Sequence, residues 1–153
     1  MKTPIEGIVV DGSTRGNPGP SEYRGIDLTT GKILFHKKIG IATNNICEFI
    51  ALGHGILYAL NQNKEQQTVY TDSQTAISWI KKKSINSKLP ESPRTEIARD
   101  YVERILLQLK KIPVVYNGID LIINNQITVT KWYSSEYGEI PADFGYKNFT
   151  TII

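Results

Sequence analysis

A chain of 153 residues and 17.2 kDa fits one domain and is long enough to bury a core without disulfides or structural metal. Its single cysteine, Cys47, excludes an internal disulfide framework, and no stretch has the length of a signal peptide or a membrane span, so a soluble cytoplasmic protein is expected. The net charge of +3 is unevenly spread: residues 1–78 carry seven basic and seven acidic side chains, 79–111 nine and four, and 112–153 two and four.

In chain order, Ile5 to Val10 is a near-continuous apolar run, the wording of a strand buried on both faces. It runs into Asp11 and the loop "DGSTRGNPGP", which lacks the lysine of a Walker-type phosphate cradle. By itself an Asp-Gly after a strand reads as a turn. Glu22 to Leu28 and Lys32 to Ile39 flank the turn signal "TTGK" and predict a hairpin. Phe49, Leu52, Ile56 and Leu60 fall at helical spacing within 45–60, with Thr43 or Asn44 as N-cap. "QTVYTDS" predicts a second short buried strand, again ending in an aspartate, Asp72. Helices fit 74–82 and 94–111, separated by the loop "SKLPESP". Segment 112–125 is ambiguous between helix and strand, its β-branched residues favouring strand. Ile127 to Trp132 reads as a last strand, and Pro141 suits the first turn of a final short helix.

A hairpin followed by alternating strands and helices predicts a single α/β domain over 1–153, a mixed sheet with helices on its faces. Sites in such sheets form at the carboxyl ends of parallel strands. Asp11 and Asp72 stand at two such ends. Glu48 lies in the first turn of its helix on the face shared by Ala51, Leu52 and Gly55, a small apolar face suited to packing on the sheet. That aims a carboxylate inward, which is costly unless the charge is compensated. Asp143 follows Pro141 at a helix start, where the dipole alone favours an acid. Four acids converging on one sheet end repel one another unless cations neutralise them, and all-oxygen ligands select hard divalent ions, Mg²⁺ first. The lysine-rich "WIKKKSINSK" has the look of a patch for phosphates, though a lysine run alone is more often a solvated surface.

"DGSTRGNPGP", "TNNICEFIAL", "YTDSQTAI" and "GEIPADFGYK", in this order, resemble the type 1 ribonuclease H family, from about Ile5 to Lys147. The resemblance implies a ribonuclease H-like fold, a central five-stranded mixed sheet with helices on both faces. It further implies two-metal hydrolysis of the RNA strand of RNA/DNA hybrids, leaving 5′-phosphate and 3′-hydroxyl ends. Asp11, Glu48, Asp72 and Asp143 take the positions of the family's four metal-holding catalytic acids, with two Mg²⁺ ions about 4 Å apart and Mn²⁺ as a substitute. Asp11 would bridge both ions, Glu48 and Asp72 complete the leaving-group site, and Asp143 completes the nucleophile side. Gly12 and Ser13 belong to the loop whose backbone approaches nucleic acid. Asn17, Asn44 and Gln74 match positions reaching into the hybrid's minor groove, where 2′-hydroxyls distinguish RNA from DNA. Thr43 and Asn45 match a pocket for a DNA-strand phosphate, and Lys81, Lys82, Lys83 and Lys88 fall where many members carry a basic protrusion.

The chain departs from that pattern in places. Many members place a histidine in the loop before the last aspartate, and "KWYSSEYGEIPADFG" has none, leaving Glu136 and Glu139 as its ionisable alternatives. The wording "GEIPADFG" resembles a bacterial branch, some of whose members carry an extra N-terminal hybrid-binding module. This chain has no room for one, and affinity is expected to rest on the basic segment. Met1 just before the first strand suggests a free-standing protein, and no protein partner beyond a monomer is expected.

Overall fold

The computed structural model describes residues 3–142. One seven-stranded sheet has the order β3-β2-β1-β4-β7-β6-β5, built from β1 Ile8–Thr14, β2 Gly19–Asp27, β3 Ile33–Ala42, β4 Gln67–Thr71, β5 Val114–Tyr116, β6 Leu121–Ile123 and β7 Ile127–Lys131. β1, β4 and β7 are mutually parallel, and the other pairings are antiparallel. The helices are α1 Asn44–Asn61, α2 Gln74–Lys82, α3 Glu96–Leu109 and the four-residue α4 Ser134–Tyr137.

Both crossovers, β3 to β4 through α1 and β4 to β7 by way of α2 and α3, advance across the sheet in one direction. Right-handed crossovers then place α1, α2 and α3 on the same face. The side chains agree: Ile8, Val10 and Val69 pack with the helices in the main core, while Val9 faces a smaller cluster with Ile26, Trp132, Ile140 and Ala142. Tyr137 of α4 joins that second cluster. The helices therefore flank the sheet unequally.

α1 is enclosed by the sheet on one side and by α2 and α3 on others. Ile46, Phe49, Ile50, Leu52 and Ile56 are all buried, each contributing about 1.5–3 kcal/mol relative to exposure. Phe49 meets Trp79 of α2 edge-to-face at 6.0 Å. On the sheet side a Cβ at Gly55 would lie 2.7 Å from Val10 Cγ1, so only glycine lets helix and strand approach this closely.

Three boundaries differ from the sequence reading. The first strand begins at Ile8, leaving Ile5 80% exposed, and it continues past Asp11 because the antiparallel ladder with β2 holds through Thr14↔Ser21. A 3-10 turn over Pro93–Thr95 precedes the third helix. The five-stranded expectation is corrected to seven: the β-branched segment after α3 forms the hairpin β5–β6, which adds to the β7 edge through Leu121↔Val129 and Ile123↔Ile127. The final helix expected from Pro141 onward, with Asp143, lies outside the described residues.

His54 of α1 stacks on Phe35 at 3.9 Å, with its Nδ1 2.6 Å from the Tyr23 hydroxyl. Burial, aided by Lys37, lowers its pKa from 6.5 to about 4. The folded protein thus binds fewer protons at this ring than the unfolded chain does, so its stabilising contribution is full above about pH 6.5 and is lost as pH falls toward 4. We expect melting temperature to drop through that window, and His54→Gln to flatten that part of the curve in a pH series of thermal melts.

Candidate metal and nucleic-acid site

The register sets up the site. Ile8↔Val69 and Val9↔Tyr70 pair β1 with β4, so continuing the rows brings Asp11 abreast of Asp72, the residue that follows β4. β4 is extended beyond Thr71 by the Trp132 N–H, which donates to the Thr71 carbonyl at 2.7 Å. Ser73 then caps α2, its hydroxyl accepting from the Ala76 N–H at 3.0 Å. A strand that ends and a helix that starts within two residues hold Asp72 at the rim of the sheet.

α1 delivers the third acid. Thr43 is its N-cap, accepting from the Ile46 N–H at 3.2 Å, and because the helix already begins at Asn44, Glu48 points toward β1 from the second turn, not from the first as the sequence suggests. The Gly12 N–H donates to Glu48 Oε1 at 2.5 Å. A Cβ at Gly12 would lie 2.8 Å from Cys47 Sγ and 3.0 Å from Glu48 Oε1, so glycine is what lets the strand meet the helix here. Oxygens of Asp11, Glu48 and Asp72 lie within 4.8 Å of one another, with Asp11 and Glu48 buried and Asp72 exposed. Burial, then the charges of Asp11 and Asp72 and a hydrogen bond with Asp72, holds the Glu48 carboxyl well above its usual range, against the Gly12 N–H. Three hard oxygen donors that repel one another and open to solvent through Asp72 fit a divalent cation of the Mg²⁺ or Ca²⁺ kind. The neighbouring Cys47 thiol is pushed up to about 12, chiefly by burial, and is inert at neutral pH.

Around this cluster the other candidates divide. Asn17 Oδ1 accepts from the Asn44 N–H at 2.9 Å, tying the loop after β1 to the start of α1. Asn17, Asn44, Asn45 and Gln74 are exposed at this end of the sheet, while Ser13 is half-buried and Gly12 buried. The Thr43 hydroxyl is engaged as the cap. Lys82 and Lys88 are exposed, but Lys83 is half-buried and left-handed at the end of α2, its ammonium donating to the Ile112 carbonyl at 2.6 Å. The lysine run is therefore not four equivalent charges. Asp143 lies outside the described residues.

No sequence pattern marks Arg24. It sits opposite Asp11 in the β1–β2 ladder and its Nε donates to the Ala142 carbonyl at 2.9 Å. The contact spans 118 positions, so no local pattern announces it. Among the described residues no helix is long and apolar enough to cross a membrane.

The RNase H family model matches residues 6–118. The bifunctional protein Rv2228c of Mycobacterium tuberculosis (strain ATCC 25618 / H37Rv) is 34% identical over 84 residues, 52% of this chain. The chain spans about 22% of the length of the curated relatives it matches. Among solved structures, the N-terminal RNase H domain of rv2228c from Mycobacterium tuberculosis, fused to maltose-binding protein, aligns with a TM-score of 0.50 at 21% identity, covering 86% of each chain. RNase H1 from the halophilic archaeon Halobacterium salinarum NRC-1 aligns with a TM-score of 0.47 at 20% identity, covering 90% of this chain and 92% of that one.

Proposed function

Since the chain belongs to the RNase H family, we propose that it cuts the RNA strand of RNA/DNA hybrids as a single domain over 1–153, leaving 5′-phosphate and 3′-hydroxyl ends. The observation that carries this reading is the meeting of Asp11, Glu48 and Asp72 within 4.8 Å at the carboxyl end of the parallel strands. With Asp143 they form the proposed set holding two Mg²⁺ ions, for which Mn²⁺ would substitute. Bound divalent ions supply a water of lowered pKa as nucleophile and charge stabilisation at the leaving oxygen.

The protein's own groups do the positioning. Glu48 is oriented by the Gly12 N–H, which also favours its charged form. Asp11, buried beside it, shares the site with the more accessible Asp72, so the open side of the cluster is the side of substrate approach. The Asn17–Asn44 link fixes the spacing between the loop and the α1 N-terminus, from which Asn44 and Asn45, with Gln74 at the start of α2, would meet the two strands of the duplex. Exposed amides placed along a shallow groove suit 2′-hydroxyls and base edges, which A-like duplexes present there. Lys81, Lys82 and Lys88 would add phosphate attraction from the basic segment, and Gly12 and Ser13 let the backbone come near. We further take the protein to act as a cytoplasmic monomer, with neither a membrane nor a protein partner needed.

A gel assay comparing labelled hybrid, duplex RNA and duplex DNA, each with Mg²⁺ or with EDTA, tests the reading. Cleavage confined to the RNA of the hybrid and abolished by EDTA is the expected result. An uncut hybrid, equal cutting of all three, or cutting that survives EDTA would refute it.

A further inference from the structure

The hairpin β5–β6 lies beyond the five strands that carry the site, yet its tip rises at the same end of the sheet as the carboxylates. Tyr116↔Leu121, Leu121↔Val129, Val129↔Val69 and Val69↔Ile8 form one row across the strands. Asp11 and Asp72 stand three residues above that row, and the four-residue tip Asn117–Asp120 climbs toward them. β4 and β5 are three strand spacings apart, about 14 Å. A duplex lying across this end of the sheet is wide enough to reach both.

The hairpin is built to hold a charge in place. Asn117 Oδ1 accepts from the N–H groups of Ile119 and Asp120 at 2.9 and 2.8 Å, closing the tip. The Tyr116 hydroxyl donates to the Gly118 carbonyl at 2.8 Å, which fixes the ring. Over that ring, 4.0 Å from its centroid, sits the ammonium of Lys81, while Lys83 anchors the same helix end to the hairpin root at Ile112. Tyr116 is 49% exposed, and Lys81 over it is exposed as well. A lysine near a helix end ordinarily keeps its ammonium loose in solvent. This lysine is instead held by a ring whose own hydroxyl is fixed.

We propose that the β5–β6 hairpin is a second shelf for the hybrid's phosphodiester backbone, on which Tyr116 is a positioning residue that presents the Lys81 ammonium to a phosphate. The proposal rests on the hybrid-nuclease reading. Its chemistry is that of counterion release, in which each lysine ammonium placed against a phosphate adds about one unit to the salt dependence of binding. Asp120 at the tip bears a negative charge, so the shelf takes the backbone through the face carrying Lys81 rather than through the tip itself.

The test measures binding of a labelled RNA/DNA hybrid across a salt series, in the full chain carrying Asp11→Asn so that the hybrid stays intact. Tyr116→Ala is expected to weaken binding about 2–5-fold at low salt and to reduce the slope of log K against log salt by about one. Tyr116→Phe, which keeps the ring under the ammonium but loses its tie to the Gly118 carbonyl, should fall between its parent and Tyr116→Ala. Tyr116→Ala added to Lys81→Ala should cost little more than Lys81→Ala alone. A slope unchanged by Tyr116→Ala overturns the proposal, and if melting temperature falls at the same time the ring is only edge packing. Failure of the parent to bind the hybrid at all would bring down the nuclease reading first, and this shelf with it.

Discussion

Asp11→Asn should abolish cleavage of the hybrid while leaving its binding intact or improved. Asp11 is buried between two other carboxyl groups, with oxygens of all three within 4.8 Å. Replacing one carboxylate oxygen by an amide nitrogen removes a hard ligand and a negative charge from a site proposed to depend on both. Loss of a single preorganised electrostatic group commonly costs about 10²–10³ in turnover, and a group shared by two metal positions should cost at least that much. Binding responds in the opposite direction, because one fewer charge repels the incoming phosphates. Steady-state rates in Mg²⁺ and equilibrium binding of an uncut hybrid separate the two effects. Turnover near that of the unmodified protein would remove Asp11 from the proposed machinery.

Local periodicity made most of the scaffold legible. α2 spans 74–82 as the helical spacing predicts, and α1 starts at the cap residue Thr43 that the sequence offers. Aspartates that close apolar runs are readable as acids at one end of the sheet, although β1 itself runs on past Asp11 to Thr14, and the parallel pairing of β1 with β4 is what sets Asp11 beside Asp72. What could not be read is whatever depends on partners distant in sequence. Segment 112–125 has strand residues but only short runs of them, and its pairing onto β7 is a tertiary choice. The lysine run looks uniform in the sequence, yet the chain turns left-handed at Lys83 and sends that ammonium to Ile112 while Lys81 goes to Tyr116. Arg24 reads as a lone charge on a hairpin strand until the fold brings the carbonyl of Ala142 to it.

Strand selectivity is the property that separates a hybrid nuclease from a general one, and it predicts a large effect on substrate rather than on protein. A hybrid whose RNA strand carries a few consecutive deoxyribonucleotides should resist cutting within that stretch and be cut normally outside it. The carboxylates are indifferent to this change, because the phosphates are the same. The exposed amides of Asn17, Asn44 and Gln74, as the proposed readers of the minor groove, would lose the 2′-hydroxyls proposed as their hydrogen-bond partners. A site built around such bonds rejects an analogue lacking them by about 10⁴–10⁵-fold when the unpaired groups are buried by the substrate, and by less where water can replace the lost partner. Because Asn17 also accepts from the Asn44 N–H, its free amide is held in one orientation and cannot turn to find another partner. Duplex DNA should then be bound weakly through the basic segment and left uncut. Mapping cut positions on end-labelled chimeric strands in Mg²⁺ gives the answer directly. Equal cutting at ribose and deoxyribose positions would transfer the site to a general nuclease while leaving its metal chemistry untouched.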